Sequence, residues 1–315
     1  MTVNYNALIT CPHLQEKIDT FIPQLKESGI TVHCPSVVQQ LDESDLLPII
    51  GNYDGVIAGD DHFTSGVLHK AERLKILIKW GIGMDGIDLD TAKKLGIKVK
   101  NTPHTLSDEV SDVVIGYIIL LARQLHKIDR EIRKGEWPNI SGITLRDKTL
   151  GIIGVGSIGK ALTIKAQALG MKVIGYDKVS IPPSFLNETG IVQTDLKDLL
   201  RSSDFISVNS SLSNENYHML SSDEFKTMKK GAYIINTSRG ALINEEALTS
   251  ALKNGEIGGA ALDVFETEPL PHQSKLLRFE NCIFGSHNSS NTVEAKSRIN
   301  EMAIRLLIEG LLDEN

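Results

Sequence analysis

At 315 residues, with 41% hydrophobic and 23% charged side chains, the chain is long enough for two domains with substantial cores, and its composition is neither disordered nor fibrous. Its 33 basic against 40 acidic residues give a net charge of −7, which argues against a nucleic-acid surface or an anionic-membrane patch. Cys11, Cys34 and Cys282 form no disulfide pattern, so a reducing, cytoplasmic setting is expected.

The opening, Met1-Thr2-Val3-Asn4-Tyr5, has no charged segment leading into an apolar core, so no targeting leader is expected. The most apolar run, residues 113–122, is ten residues long, half of the roughly 20 that a bilayer helix requires. It reads as a buried helix. Strands are expected at residues 7–11, 31–34, 55–58 and 76–79, alternating with helices at 14–28, 42–51 and 65–71. Such alternation argues for βαβ units on a parallel sheet. A long helix should follow Asn101-Thr102-Pro103, capped by Thr105 or Ser107, with Asp108 and Glu109 in its first turn. It should run to about Lys134, before Trp137-Pro138. A second series has strands near 150–153, 172–176, 205–209, 232–236, 259–263 and 282–284. The last helix, 292–312, is expected to pack back on the N-terminal part. No internal repeat or low-complexity linker is visible.

The second series opens with Gly151-Ile152-Ile153-Gly154-Val155-Gly156-Ser157-Ile158-Gly159, an apolar strand running into GxGxxG and then a helical pattern. Gly154 permits the tight turn, Gly156 lets backbone approach a pyrophosphate, and Gly159 lets helix pack on strand. The helix start, with Ser157 and Ile158, offers free N–H groups and a positive dipole end to phosphates. Asp177, 18 residues beyond Gly159, ends the next strand, where an acid accepts hydrogen bonds from adenosine ribose hydroxyls. The expected cofactor is NAD, since a 2′-phosphate would meet the carboxylate; Lys178 would soften that preference. The fold class is therefore α/β, two Rossmann-like doubly wound parallel-sheet domains. A nucleotide domain at 103–288 is inserted into a substrate-binding, flavodoxin-like domain at 1–102 plus 289–315.

Three later strand ends carry chemistry. Asn236-Thr237-Ser238-Arg239-Gly240 follows one strand, Asp263-Val264-Phe265-Glu266-Thr267-Glu268-Pro269 the next, and Gly285-Ser286-His287-Asn288 the one after. Ligands of open parallel sheets bind at such carboxyl ends. With Trp80-Gly81-Ile82-Gly83-Met84-Asp85-Gly86-Ile87-Asp88 and Asn101-Thr102-Pro103, this set resembles the D-isomer-specific 2-hydroxyacid dehydrogenase family over nearly the whole length. The resemblance implies that Arg239 holds the substrate carboxylate and polarises its carbonyl, that His287 is the general acid/base, and that Glu268 pairs with it. It also implies that Asp263 supports the cofactor side, that Asn209 and Ser210 line the adenine side, and that amides of Ile82-Gly83 hold the carboxylate. Thr237 is expected among the cofactor contacts. A homodimer built through the helix at 107–134 is implied as well.

The chemistry is coherent on these residues. Reduction of a 2-keto acid places negative charge on the carbonyl oxygen, which must take a proton. An imidazole titrating near 6.5 can give it, and a carboxylate on the other ring nitrogen fixes the tautomer. The planar fork of arginine suits bidentate carboxylate binding. Glu266 reads as a helix-capping or solvated loop charge, and His104 as hinge polarity. Cys11, His13, His33 and Cys34 end two adjacent strands but have no CxxC or HExxH spacing, so no metal is expected.

Departures from the family bear on the substrate. Ser286-His287 stands for the usual Pro-His, Asn288-Ser289-Ser290-Asn291 for an apolar-small stretch, and Asn209-Ser210-Ser211-Leu212-Ser213 for His-x-Pro-Leu-Thr. Phosphoglycerate-using relatives carry Arg-Ser where this chain has Gly59-Asp60-Asp61, acids that should repel a substrate phosphate. The sequence also ends soon after the closing helix, without the regulatory domain of long phosphoglycerate dehydrogenases. D-3-phosphoglycerate oxidation is thus the alternative reading, and a non-catalytic NAD-sensing scaffold the alternative of another class. Glu268 argues against formate, for which a glutamine partner would be expected.

Overall fold

The computed structural model describes residues 4–38, 40–103 and 105–312, and the chain divides into two compact units. The first comprises the residues up to Leu106 together with those from Asn291 onward; the second is Ser107–Ser290, so one unit is inserted in the other. The crossings fall a few residues later than the sequence-based boundaries at 102 and 288.

In the first unit β1 (Tyr5–Ile9), β2 (Ile30–His33), β3 (Gly55–Ala58), β4 (Ile76–Lys79) and β5 (Lys98–Asn101) form a parallel sheet of order β2-β1-β3-β4-β5. β3 and β4 are buried along their whole length, which is why they read as unbroken apolar runs. Alternate residues serve opposite faces: Leu8, Val56 and Leu77 join one core, and Ile9, Ile57, Ile76 and Ile78 the other. The second core is roofed by the helix Val293–Leu312 through Ala303, Ile304, Leu307 and Leu311. That helix sits close because Gly55 has no side chain: a Cβ there would lie 2.6 Å from Leu307 Cδ1.

In the second unit β6 (Thr149–Ile153), β7 (Lys172–Tyr176), β8 (Val192–Gln193), β9 (Phe205–Val208), β10 (Tyr233–Asn236), β11 (Gly259–Leu262) and β12 (Cys282–Phe284) form a parallel sheet of order β12-β11-β10-β9-β6-β7-β8. Its two faces carry separate cores, one around Phe225, Leu248 and Val208, the other around Val114, Ile118, Leu162 and Phe205. The strand order reverses between β6 and β9, so the loops after these strands flank the crevice that such sheets use for ligands.

Several expected elements are corrected. The helix expected at 14–28 is a turn of helix at Pro12–Gln15, a 3₁₀ turn at Ile18–Thr20 and a helix at Ile22–Glu27. Pro23 lacks an N–H and fits only at the start of that last piece. The helix expected from 107 to 134 is two, Ser107–Arg123 and Leu125–Arg133, broken at Gln124, whose φ of 53° is left-handed. The helix expected at 42–51 keeps only Glu43–Leu46 before a 3₁₀ turn at Ile50–Asn52. β5 and β8 were not anticipated, and both are edge strands with polar, part-exposed residues.

Candidate active site

The glycine loop of the second unit has the backbone its sequence requires. Gly154 has φ 93°, and a Cβ on it would come within 2.8 Å of the Asn209 and Ser210 backbone, so only glycine fits where the loops after β6 and β9 meet. A Cβ on Gly159 would collide with the Gly154 carbonyl, so the helix Ser157–Ala168 lies directly on the strand end. Gly156 faces open space, with nothing within 4 Å of the position its Cβ would take. The Asp177 carboxylate accepts from Val155 N–H (2.8 Å) and Val179 N–H (3.1 Å), tying the end of β7 to the glycine loop. Lys178 is held by Glu215 and points its charge there.

These parts fit a dinucleotide. Gly156 leaves room for a pyrophosphate against the first helical turn, whose N–H groups have no helical acceptor. The Asp177 oxygens keep lone pairs for ribose hydroxyls. Thr237 Oγ1, just past β10, is buried with no partner among the described residues, as is Ser289 Oγ.

Arg239, Glu268 and His287 all lie in the second unit, beyond β10, β11 and β12. Ser238 is pinned by Asn236 Oδ1 (3.0 Å to its N–H) and by Val208 O (2.8 Å from its hydroxyl), which sets the start of the arginine loop. Gly240 packs on the Phe265 backbone so closely that any side chain would collide with it. His287 Nδ1 lies 2.7 Å from Glu268 Oε2, and Glu268 Oε1 accepts the Phe265 N–H at 2.9 Å. Burial alone would raise the Glu268 carboxyl. The His287 hydrogen bond and charge, the Phe265 amide and the Arg239 charge outweigh it and hold the group below its ordinary range.

His287 has φ 54°, a left-handed conformation that costs a non-glycine residue energy and persists only where its surroundings enforce it. Asp263 does so. Its carbonyl takes the His287 N–H (2.7 Å), while its buried carboxylate takes the N–H groups of Asn288 (3.1 Å) and Ser289 (2.8 Å). Tyr117, which sequence reasoning did not single out, places its hydroxyl against the same Gly285 backbone. Burial, reinforced by the Asp263 charge, pushes that phenol up to about 12.

Glu266 takes the helix-capping role of its two expected ones, at the start of the helix Glu245–Asn254. It accepts the Glu245 N–H (2.9 Å), its own N–H goes to Glu245 Oε1 (2.7 Å), and its carboxylate lies 2.9 Å from His218 Nε2, an ion-pair distance out of line for a hydrogen bond. A partnered acid in a loop leaves no periodic signal in sequence.

In the first unit Ile82 and Gly83 follow β4. Thr102 bonds both the N–H (2.9 Å) and the carbonyl (3.1 Å) of Gly81, and Asn101 Nδ2 donates to Ile82 O (2.7 Å). Among the described residues neither the Ile82 nor the Gly83 N–H finds an acceptor. Asp60 and Asp61 do not act as a pair of repelling acids. Asp61 is 2% exposed, its carboxylate satisfied by the Thr10 hydroxyl and by the N–H groups of Leu41 (2.7 Å) and Gly59 (2.9 Å). Burial outweighs those bonds and raises it. Asp60 is matched by buried Lys79, whose Nζ lies 3.0 Å from it and 2.7 Å from Trp80 O. The expectation of strong phosphate repulsion here is therefore weakened. His104 lies outside the described residues. Among the described residues no cluster of three or more His, Cys, Asp or Glu side chains could hold a metal ion, and no helix is long and apolar enough to cross a membrane.

Fold, glycine loop and the acid at the end of β7 define a dinucleotide-binding α/β protein. Residues 115–289 match the family model described as D-isomer specific 2-hydroxyacid dehydrogenase, NAD binding domain. A glyoxylate reductase of Thermofilum pendens is 39% identical, over 94% of this chain and 91% of that protein. A D-3-phosphoglycerate dehydrogenase of Methanocaldococcus jannaschii is 36% identical over 89% of this chain but only 54% of its own length. Among solved structures, D-lactate dehydrogenase from Aquifex aeolicus, complexed with NAD and lactic acid, superposes with a TM-score of 0.87 at 29% identity, covering 96% of this chain and 94% of that one. The chain belongs to the D-isomer-specific 2-hydroxyacid dehydrogenase family, and is an NAD-dependent oxidoreductase.

Proposed function

We propose that this protein reduces a small 2-keto acid to the D-2-hydroxy acid with NADH, using Arg239, Glu268 and His287. The observation that carries the reading is the 2.7 Å contact of Glu268 with His287, on a loop that Asp263 holds in a costly backbone conformation. When bound, the cofactor supplies the hydride for the carbonyl carbon. His287, with Nδ1 on Glu268, gives the proton to the carbonyl oxygen from Nε2, and the ionised Glu268 stabilises the imidazolium beforehand. Arg239 binds the substrate carboxylate and polarises the carbonyl. Ile82 and Gly83 of the first unit offer their N–H groups to a substrate carboxylate. Gly154, Gly156, Ser157, Ile158 and Gly159 would receive the pyrophosphate, Asp177 the adenosine ribose, Asn209 and Ser210 the adenine side, and Thr237 and Asp263 the nicotinamide side.

The protein is further proposed to work in the cytoplasm as a homodimer. In support, all three cysteines are free, and Leu125, Ile132 and Trp137 are exposed on and beside the helix Leu125–Arg133. Light scattering in solution tests the dimer.

The test of the reaction is NADH oxidation, with NADPH in parallel, against glyoxylate, pyruvate, hydroxypyruvate and phosphohydroxypyruvate. Turnover that His287→Ala lowers by about 100-fold or more fits the removal of a general acid. Wild-type turnover by that variant at every pH would sink the assignment. NADH binding with no turnover on any acid would favour the sensing scaffold.

A further inference from the structure

The first unit carries a polar group that this chemistry leaves unused. In a sheet of order β2-β1-β3-β4-β5 the connections run in opposite directions from β1 and β3, and the crevice lies outside the carboxyl ends of those two strands. His13 stands just beyond β1, Asp60 just beyond β3, and Trp80 directly after β4. The Lys79–Asp60 pair, 3.0 Å apart, leaves little net charge there.

The His13 ring lies against Trp80, centroids 5.3 Å apart, and Trp80 is itself fixed by its Nε1–H donating to Asn300 Oδ1 at 2.7 Å. His13 Nδ1 is buried without a hydrogen-bond partner. An orphaned N–H costs more than an orphaned lone pair, so Nδ1 is the bare nitrogen and the proton sits on Nε2. Among the described residues Nε2 makes no hydrogen bond and it is not buried, so it is a donor open to a ligand. Burial and the nearby Lys296 charge hold the ring's pKa below 6.5, so that donor is neutral at neutral pH.

We infer that His13 determines substrate specificity: its Nε2–H donates to an oxygen on the third carbon, so the crevice takes a hydroxyl-bearing 2-keto acid in preference to an alkyl or phosphorylated one. The inference rests on the proposed reading, in which the amides of Ile82 and Gly83, two and three residues past Trp80, hold the substrate carboxylate. A neutral donor beside an already paired lysine suits a hydroxyl, offers no counter-charge to a phosphate, and is left unpaired by a methyl.

The experiment measures kcat/KM with NADH for hydroxypyruvate, pyruvate and glyoxylate, the last having no third carbon, in wild type, His13→Leu and His13→Gln. His13→Leu is expected to lower the hydroxypyruvate-to-glyoxylate ratio about 3- to 10-fold, the worth of one hydrogen bond, and His13→Gln, which keeps an N–H donor, to restore part of it. Equal losses on hydroxypyruvate and pyruvate, or an unchanged ratio, overturn the inference. If His13→Leu does not fold, His13→Glu, which only accepts when ionised, takes its place: a ratio no lower than that of His13→Gln overturns it equally. A wild type silent on every acid overturns the reaction itself, and this inference with it, whereas a failed ratio in an active enzyme overturns His13 alone.

Discussion

Glu268 Oε2 lies 2.7 Å from His287 Nδ1, with the Glu268 side chain 23% and the His287 side chain 35% exposed. The pair is thus partly sheltered and close enough to fix the ring. Since the Glu268 carboxyl is held below its ordinary 4.5, folding favours its ionised form. The resulting stability is present above pH 4.5 and is lost as the pH falls through the lowered native value. Glu268→Gln should therefore be less stable than wild type by about 1 kcal/mol at neutral pH, with the gap closing in acid. Thermal melts across pH check this; a gap that widens in acid would contradict it.

Asp263 is expected to act through the loop it holds. Asp263→Asn keeps one acceptor oxygen but turns an NH₂ toward a backbone N–H, so one of the bonds to Asn288 and Ser289 is lost. The left-handed His287 then loses its brace. Stability should fall by about 1–3 kcal/mol. Turnover should fall more than NADH affinity, read by single-turnover kinetics beside cofactor titration. Equal loss of both would make the proposed nicotinamide-side contact, and not the loop, the main role of Asp263.

Much of this could be read in the sequence because the signals are local. Buried parallel strands are continuous apolar runs, and each proposed catalytic residue lies three to six residues past one, so order along the chain placed Arg239, Glu268 and His287 in one unit. What stayed hidden depends on tertiary partners. The apolar pattern continues through Gln124 into Leu125, Ile128 and Ile132, so a backbone break there leaves no mark on periodicity. β5 alternates exposed Lys98 and Lys100 with part-buried residues and looks like surface. Asp61 reads as an acid facing a substrate phosphate and Glu266 as a capping or solvated charge; only the fold supplies Thr10, Leu41 and Gly59 to the one and Glu245 and His218 to the other.

Asp177 is the residue proposed to set the cofactor choice. Its carboxylate, already accepting from Val155 and Val179, would lie against any 2′-phosphate. Asp177→Asn removes the charge while keeping one acceptor. The ratio of NADPH to NADH use, as kcat/KM, should rise about 10-fold, equivalent to about 1.4 kcal/mol of relieved repulsion. Lys178 is already engaged by Glu215, so Lys178→Ala should move that ratio less. An Asp177→Asn enzyme with unchanged preference would remove Asp177 from the ribose site.

Two glycines of one loop should fail in different ways. A methyl at Gly156 meets nothing within 4 Å, and its φ of −73° and ψ of −156° suit alanine, so Gly156→Ala should melt like wild type. The methyl would fill the space proposed for the pyrophosphate, so NADH affinity should drop about 10-fold or more, at least 1.4 kcal/mol. A methyl at Gly159 collides with the Gly154 carbonyl, which belongs to backbone and cannot swing away. Gly159→Ala must push helix from strand, at about 1–3 kcal/mol of stability, and lose cofactor binding as a consequence. Melting curves alongside NADH fluorescence titration separate the two. If Gly156→Ala bound NADH as tightly as wild type, the cofactor would not approach the backbone there, and the pyrophosphate would have to be placed elsewhere.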